Sequence, residues 1–383
     1  MHICVIAGEP SGDFLGGKLI GALKEARPDV QISGVGGHYM REAGMESLFD
    51  YRQLAVMGVA EVLPKIPTLL ARIGEAVRHI IDTKPDVVVT IDSPDFGFRV
   101  AKAVRKKMAA PPKLVHYVAP TVWAWREGRA EKVSRFLDGM ICLFDFEPPY
   151  FEKYGLRSVA VGHPMVEGEA MNASGARFRD EYGIGQREAI IGILFGSRGG
   201  ELKRTGPVLR DALVRMAERS DVIPQVVAPT LPHLYGGVME LLRDYPGAIH
   251  IVTDSAHKYD AFRSMDVALA VSGTVGLELA ALEVPHVIGY RASPFTAMMV
   301  RRFIKVKYAH LANIMEDREI VPEFIQENCV SERIAEAAMQ LLQSPEEQKA
   351  AFQDVKFRLG FGQEQSPSQK AAEFVLSLLP ASQ

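Results

Sequence analysis

Cysteine is scarce in this chain: there are three among 383 residues, Cys4, Cys142 and Cys329. Their wide separation gives no metal-ligand spacing and no disulfide framework, which points to a reducing compartment. Long apolar runs are missing too. None approaches the roughly 20 residues that a bilayer-spanning helix needs, and the opening MHICVIAGEP lacks the basic region and apolar length of a secretory signal. Charge of one sign is not in excess: 44 Lys and Arg stand against 47 Asp and Glu, a net charge of -3. That excludes a whole-surface nucleic-acid binder, although not a local basic patch. No internal repeat or low-complexity tract stands out. The expectation is a cytoplasmic protein that meets a membrane, if at all, from the side.

A hydrophobic content of 48% and a charged content of 24% fit a globular chain, and 383 residues exceed one ordinary core, so two domains are expected. Val- and Ile-rich runs bounded by Gly, Pro or Asp read as buried parallel strands at His2–Ala7, Val87–Ile91, Lys113–Val118, Gly139–Leu143, Ser158–Val161, Ile190–Phe195, Gln225–Ala228, His250–Val252, Val267–Val271 and His286–Tyr290. Helix-like segments lie between them, among them Gly16–Ala26, Leu69–Asp82, Ala101–Lys107, Pro207–Arg219 and Thr274–Leu282. Repeated βα units predict an α/β fold of two doubly wound, Rossmann-like domains facing a cleft. The strand series breaks at Gly162-His163-Pro164, and residues 167–182 are polar and strandless. The expected boundaries are 1–164 for an N-terminal domain, 165–345 for a C-terminal domain and 346–383 for terminal helices.

The first strand runs into Gly8-Glu9-Pro10-Ser11-Gly12-Asp13. Such a turn lets a ligand approach the backbone, and the carboxyl end of a first parallel strand is where open α/β sheets bind ligands. Ser11 reads as the N-cap of the following helix. Gly12, Gly17 and Lys18 satisfy part of a phosphate-binding loop, but Leu19 stands where Ser or Thr would hold magnesium, so the ATPase reading is rejected. Asp92 and Asp95 follow a buried strand in Ile91-Asp-Ser-Pro-Asp-Phe96; a carboxylate there is placed to act as a general base, or simply to make an Asx-turn before Pro94. In the second half, Gly196-Ser197-Arg198-Gly-Gly-Glu201 and Ser272-Gly273-Thr274-Val-Gly-Leu-Glu278 each follow a strand and open a helix. Free backbone amides and the forked cation of Arg198 suit phosphate, and Glu278 suits ribose hydroxyls; together they read as a nucleotide-diphosphate cradle.

The segment holding Val56, Met57, Val59, Val62, Leu63, Ile66, Leu69 and Leu70 is apolar and broken by Pro64 and Pro67. It is too broken for a core helix and too short to span, so it reads as a surface segment dipping into a bilayer. Arg301, Arg302, Lys305 and Lys307, set among Met, Phe and Ile, suit an anionic lipid surface. The alternative for both is core plus a solvated charged face. Trp123 and Trp125, beside Arg126, form a wall or stack on a sugar or acyl chain. His116 and His163 have no partner pattern for metal and read as structural.

These motifs, in this order, resemble those of the lipid-A-disaccharide synthase family. The stretches that carry the resemblance include Gly8-Glu9-x-Ser11-Gly12-Asp13, Leu54-Ala-Val-Met57-Gly58, Ile91-Asp92-x-Pro94-Asp95-Phe96, Trp123-Ala-Trp125, Gly196-Ser-Arg198-Gly199, Ser272-Gly-Thr274 and Arg318-Glu-x-Val321, spread over nearly the whole chain. The resemblance implies a GT-B glycosyltransferase in which a UDP-2,3-diacylglucosamine donor glycosylates the 6-hydroxyl of 2,3-diacylglucosamine 1-phosphate with inversion. It implies Asp92 as the base, with Glu9 and Asp95 as alternatives, and Glu9 and Asp13 on the acceptor side with Gly8, Ser11, Asp95, Trp125 and Arg126. Arg198 and Ser272–Thr274 would meet the departing UDP, and Asn313 would lie near the donor. No metal or other cofactor is expected, the working place is the cytoplasmic face of the inner membrane, and a homodimer exchanging its last helices is implied. Three positions depart from the family pattern. Phe195 replaces a Pro, Ala312 replaces the Pro of Leu-Pro-Asn, and Gly276 replaces the second Thr of Ser-Gly-Thr-Ala-Thr-Leu-Glu. A UDP-sugar epimerase of the same fold and a non-catalytic membrane binder are the competing classes.

Overall fold

The computed structural model describes residues 1–54, 59–124, 127–293 and 306–380, with backbone alone over 59–65. The chain divides into two compact units, Met1–Pro164 with Gly362–Gln383, and Met165–Phe361. The helix Glu346–Leu359 therefore belongs to the second unit and the helix Pro367–Ser377 to the first.

The first unit is built on six parallel strands: β1 (His2–Ala7), β2 (Gln31–Val35), β3 (Val87–Ile91), β4 (Lys113–Tyr117), β5 (Gly139–Cys142) and β6 (Arg157–Ala160), in the spatial order β2-β1-β3-β4-β5-β6. Alternate residues feed two cores. Ile3, Val5, Val87, Val89, Val115 and Ile141 pack with Leu15, Leu19 and Leu23 of the helix Pro10–Ala26 and with Ala371 and Val375 of the helix Pro367–Ser377. Cys4, Ile6, Val88, Leu114 and Met140 pack on the other face with Ala76, Ile80, Val100 and Val104. Burial on both faces makes the strand sequences continuously apolar, the pattern by which they were read. The strands β2 and, in the second unit, β12 (Glu323–Ile325) went unread. Both lie at sheet edges, where partial exposure admits Gln31, Ser33 and Glu323.

The second unit repeats the plan with β7 (Ile190–Leu194), β8 (Gln225–Pro229), β9 (Ile249–Val252), β10 (Val267–Val271) and β11 (His286–Tyr290), ordered β12-β11-β10-β7-β8-β9 and parallel throughout. In both sheets the winding reverses beside the first strand of the unit. The gap lies between β1 and β3 in the first and between β7 and β10 in the second.

Two local readings are corrected. Ser11 is not an N-cap: the helix begins at Pro10 with Glu9 at the cap, because proline with its fixed φ favours the first helical position. The segment read as too broken for a core helix continues the helix expected at Leu69–Asp82 back to Val59, giving one helix Val59–Thr83, although Pro64 and Pro67 each remove one backbone donor. Leu69, Ile73, Ala76, Val77 and Ile80 recur at helical spacing and pack on the core, which holds the helix despite the prolines. Among the described residues, no helix is long and apolar enough to cross a membrane.

One buried acid marks the far end of the first sheet. Glu147 is 2% exposed and accepts bonds from Trp123 Nε1 and from the amides of Leu143 and Phe144, each at 3.1 Å. Burial pushes its carboxyl up to about 7 against the pull of those donors. Folding therefore favours the neutral acid: the stabilisation is complete below the unfolded value near 4.5 and is lost as pH rises through 7, on the order of 3 kcal/mol in all. Urea unfolding should show stability falling from about pH 5 to about pH 7.5, with a flatter profile in Glu147→Gln. An identical slope in the variant would remove Glu147 as the cause.

Candidate functional site

At the carboxyl ends of β1 and β3 the first unit gathers Glu9, Ser11, Asp92 and Ser93. Asp92 and Ser93 both adopt left-handed backbone conformations, with φ of 53° and 42°. Val118, just beyond β4, has φ of 79°, which is a true outlier for a β-branched residue. Three strained residues on adjacent strand ends cost about 1–3 kcal/mol each and are sustained by the sheet beneath them. Asp92 N donates to Tyr117 O at 2.9 Å and Val118 N to Ile141 O at 2.9 Å, so the turns are tied to β4 and β5.

The strain turns side chains toward one another. Ser11 Oγ donates to Asp92 Oδ2 at 2.7 Å, and Ser93 Oγ donates to Glu9 Oε1 at 3.0 Å. The Ser93 amide donates to Asp92 Oδ1 at 2.9 Å. A Cβ on Gly8 would sit 2.8 Å from Ser93 Cβ and 2.9 Å from its Oγ, so only glycine lets β1 pass this close to the β3 turn. The helix Pro94–Lys107 carries Asp95, exposed and 3.9 Å from Arg129. Asp13 takes a different position from its motif neighbours. It is 2% exposed and accepts from the amides of Gly37, Tyr39 and Met40 at 2.6, 3.1 and 3.2 Å.

In the second unit the loops after β7, β8, β9 and β10 enclose a cavity of about 490 Å³, within the range of small-ligand sites. Gly196 has φ of 89°, and the Glu201 carboxylate occupies the space its side chain would fill. Glu201 accepts from the amides of Ser197 and Arg198 at 3.0 and 3.3 Å and from Arg198 Nη1 at 3.3 Å. It thus shapes the turn, while the Arg198 side chain remains 81% exposed on the cavity rim. Across the cavity, Ser272, Gly273 and Thr274 precede or begin the helix Thr274–Ala281, whose first amides have no intrahelical acceptor.

Glu278 is engaged: it accepts from Lys258 Nζ at 2.8 Å and from Tyr259 Oη at 3.2 Å. Burial, then the nearby Glu278 carboxylate, raises the Tyr259 phenol, which stays protonated as the donor. Lys258 lines the cavity with Thr230, Asp254 and Ser255, and none of these was singled out from sequence. They lie beyond β8 and β9, loops that the strand-end rule itself marks but that carry no glycine motif. Asn313 is apart from the cavity lining. It is fully buried, its Nδ2 donates to Val321 O and Glu323 Oε1 at 2.8 Å, and its Oδ1 accepts from the amides of Ile320 and Val321 at 2.9 Å.

Of the surface calls, Ile66 and Leu70 are 38% and 55% exposed, while Leu69 packs on the core. Lys307 is exposed beside the Tyr308 ring, 4.6 Å away. Val56, Met57, Trp125, Arg126, Arg301, Arg302 and Lys305, and the side chains of Val59, Val62 and Leu63, lie outside the described residues.

Solved structures with this arrangement define the class. A UDP-GlcNAc 2-epimerase from Neisseria meningitidis, bound to UDP-GlcNAc, superposes with a TM-score of 0.62 at 11% identity over 98% of this chain and 99% of that one. MurG from Acinetobacter baumannii does so with a TM-score of 0.55 at 14% identity, covering 98% of this chain and 99% of that one. Likeness at that identity establishes the fold, a two-domain α/β architecture of the GT-B type. Sequence relatives narrow it. A family model described as lipid-A-disaccharide synthetase matches residues 3–375. Lipid-A-disaccharide synthases from Rhodospirillum centenum and Ruegeria pomeroyi are 46% and 41% identical, covering 98% and 99% of this chain and 94% and 96% of theirs. The chain belongs to the lipid-A-disaccharide synthetase family and is a disaccharide-forming glycosyltransferase. Neither the epimerase nor the non-catalytic binder is favoured.

Asn313→Ala should lower unfolding stability by on the order of 3 kcal/mol, because it leaves buried amides and carbonyls unpaired. Loss of UDP affinity with an unchanged urea midpoint would instead place Asn313 at the ligand.

Proposed function

We propose that the chain joins UDP-2,3-diacylglucosamine to the 6-hydroxyl of 2,3-diacylglucosamine 1-phosphate, releasing UDP and forming the β-1,6-linked disaccharide 1-phosphate. The acceptor hydroxyl gives its proton to a carboxylate as its oxygen bonds to the anomeric carbon. The bond from that carbon to the pyrophosphate oxygen breaks, and its electron pair leaves with UDP. Attack opposite the leaving group inverts the centre. The observation that carries this reading is Asp92, held in a left-handed turn with one oxygen on Ser11 Oγ and the other on the Ser93 amide. Both partners fix its direction, and positioning comes first for a general base. Glu9, tethered through Ser93, is the second carboxylate at the same strand ends.

The donor is assigned to the second unit. Negative charge growing on UDP calls for cations and N–H donors fixed in advance. The support is Arg198, Lys258 and the amides opening the helix at Thr274, all on one cavity. Glu201 and Glu278 are assigned to hold these donors rather than to touch phosphate, since each already binds a neighbouring cation. Asp13 and Asn313 are assigned to loop support because their polar atoms are taken up by neighbouring loop groups, chiefly backbone. In Asp92→Ala and Arg198→Ala, turnover should fall by about a hundredfold or more, read as acceptor-dependent UDP release. An Asp92→Ala enzyme that turns over at the normal rate would sink the base assignment.

Both substrates carry acyl chains, so the reading includes contact with the surface of a bilayer. Ile66 and Leu70, one helical turn apart and exposed, are its described support. Changing both to Ser should weaken pelleting with liposomes while leaving the unfolding curve in place. Leu69→Ser should instead destabilise the core by roughly 2 kcal/mol or more. Equal liposome binding by the double variant and the parent would argue against the contact.

A further inference from the structure

A separate cavity of about 860 Å³ opens in the first unit, with Gly37, His38, Arg41, Asp50, Tyr51 and Arg52 among its walls. Its charges are unevenly committed. Arg52 forks onto Asp50, with Nε and Nη2 2.9 and 2.7 Å from Oδ2, and the Arg52 amide closes the same turn at 3.0 Å. His38 lies 3.3 Å from Glu42. Glu46 also stands on the rim. Arg41 is exposed on the same wall, near enough to Asp50 to help the Arg52 hydrogen bonds hold that carboxyl down, and among the described residues it forms no ion pair within 4 Å and no side-chain hydrogen bond. A guanidinium left open beside a second one that is already oriented suits a doubly charged, three-oxygen anion, which it can grip with two parallel N–H bonds.

The cavity is tied to the Asp92 cluster through two sets of contacts. Asp13, one turn beyond Glu9, binds the amides of Gly37, Tyr39 and Met40 and so sets the cavity's wall from the helix that also carries Ser11. The 3-10 turn Tyr51–Leu54 begins on that wall and ends at Leu54, whose Cδ1 lies 3.8 Å from the Cβ position of Gly8, the residue packed against Ser93. At about 2 Å per residue such a turn spans roughly the width of a sugar ring. In the acceptor proposed above, C1 with its phosphate and C5 with its 6-hydroxymethyl arm flank the ring oxygen, so the phosphate and the 6-hydroxyl lie within about one ring width of each other.

We propose that Arg41, with Arg52 beside it, is the subsite for the phosphate monoester of the acceptor, and that it lets the enzyme select a sugar 1-phosphate over the same lipid sugar without phosphate. The inference rests on the acceptor reading of the first unit. It is tested with the full-length protein, the UDP-linked donor, and two acceptors that differ only in the 1-phosphate. Arg41→Ala should raise the KM for the phosphorylated acceptor by about tenfold or more, leave the donor KM in place, and barely alter use of the phosphate-free acceptor. Arg41→Lys should fall between. An equal loss on both acceptors, or no loss on either, would overturn the subsite. Bilayer phosphate is the other source of this chemistry, so the variants are also pelleted with phosphatidylglycerol vesicles. Lost vesicle binding with an unchanged acceptor KM would reassign Arg41 to lipid headgroups and defeat the proposal. Wild-type protein that releases no UDP with either acceptor would sink the acceptor reading together with the subsite, whereas an active wild type without phosphate selectivity would sink the subsite alone.

Discussion

The placement of every candidate site motif in this chain follows from a reversal of winding. In a parallel sheet, connections that leave to opposite sides of one strand cannot cover its carboxyl end, and a gap opens there. The first unit has that gap between β1 and β3, the second between β7 and β10. Each of the four glycine- or carboxylate-bearing motifs sits on one of these four strand ends. The chemistry is thus distributed by topology before any side chain is considered. An acid pair occupies the first gap, and amides with cations occupy the second.

Holding groups in those gaps takes stability from elsewhere. Asp92, Ser93 and Val118 occupy backbone conformations that non-glycine residues avoid, and they persist because the strands below are buried on both faces. A second layer of polar residues fixes the loops. Asp13 gathers three amides, Glu201 shapes the Gly196 turn, Glu278 holds Lys258, and Asn313 closes the stretch before β12. These residues share the motifs of the ones proposed to meet substrate because a loop that must hold one shape needs both kinds. Spacing alone cannot separate them, since a carboxylate that caps amides and one that faces solvent read identically in sequence.

The same reasoning marks what was legible. Central strands were, because burial on two faces leaves a continuous apolar run. The edge strands β2 and β12 were not, because half-exposed backbone tolerates Gln31 and Glu323. The strand-end positions of Asp92, Arg198 and Ser272 were legible as motifs, and the place of Lys258 on the same cavity was not, because its loop has no glycine and it reaches Glu278 across 20 residues of chain. Leu69–Asp82 was read as helical, whereas the start of the same helix at Val59 was hidden by Pro64 and Pro67, which interrupt its local pattern. Ser11 shows the converse. Its residue type suits a cap, yet Pro10 moves the helix start back and frees the hydroxyl for Asp92.

Two of the departures from the family pattern become one adjustment. Gly276 leaves room for His310: a Cβ there would collide with His310 Nε2. Ala312 supplies an N–H that a proline would lack, donating to His310 Nδ1 at 3.1 Å. With Nδ1 accepting, His310 Nε2 carries the proton and donates to His286 Nε2 at 2.9 Å, and His286 Nδ1 in turn donates to Val284 O at 2.7 Å. Each ring then has one donor and one acceptor, both used, as two neutral imidazoles require. Burial lowers both: His286 falls to about 4, and His310 is depressed further by its neighbour. Neutrality lets the pair sit buried against Gly276 of the helix Thr274–Ala281 without an unpaired charge. Restoring a threonine at 276 alone would strike His310, and restoring a proline at 312 alone would strip its donor. The physical unit of change here is the trio, and the helix Thr274–Ala281 keeps its seat because the three residues fit one another.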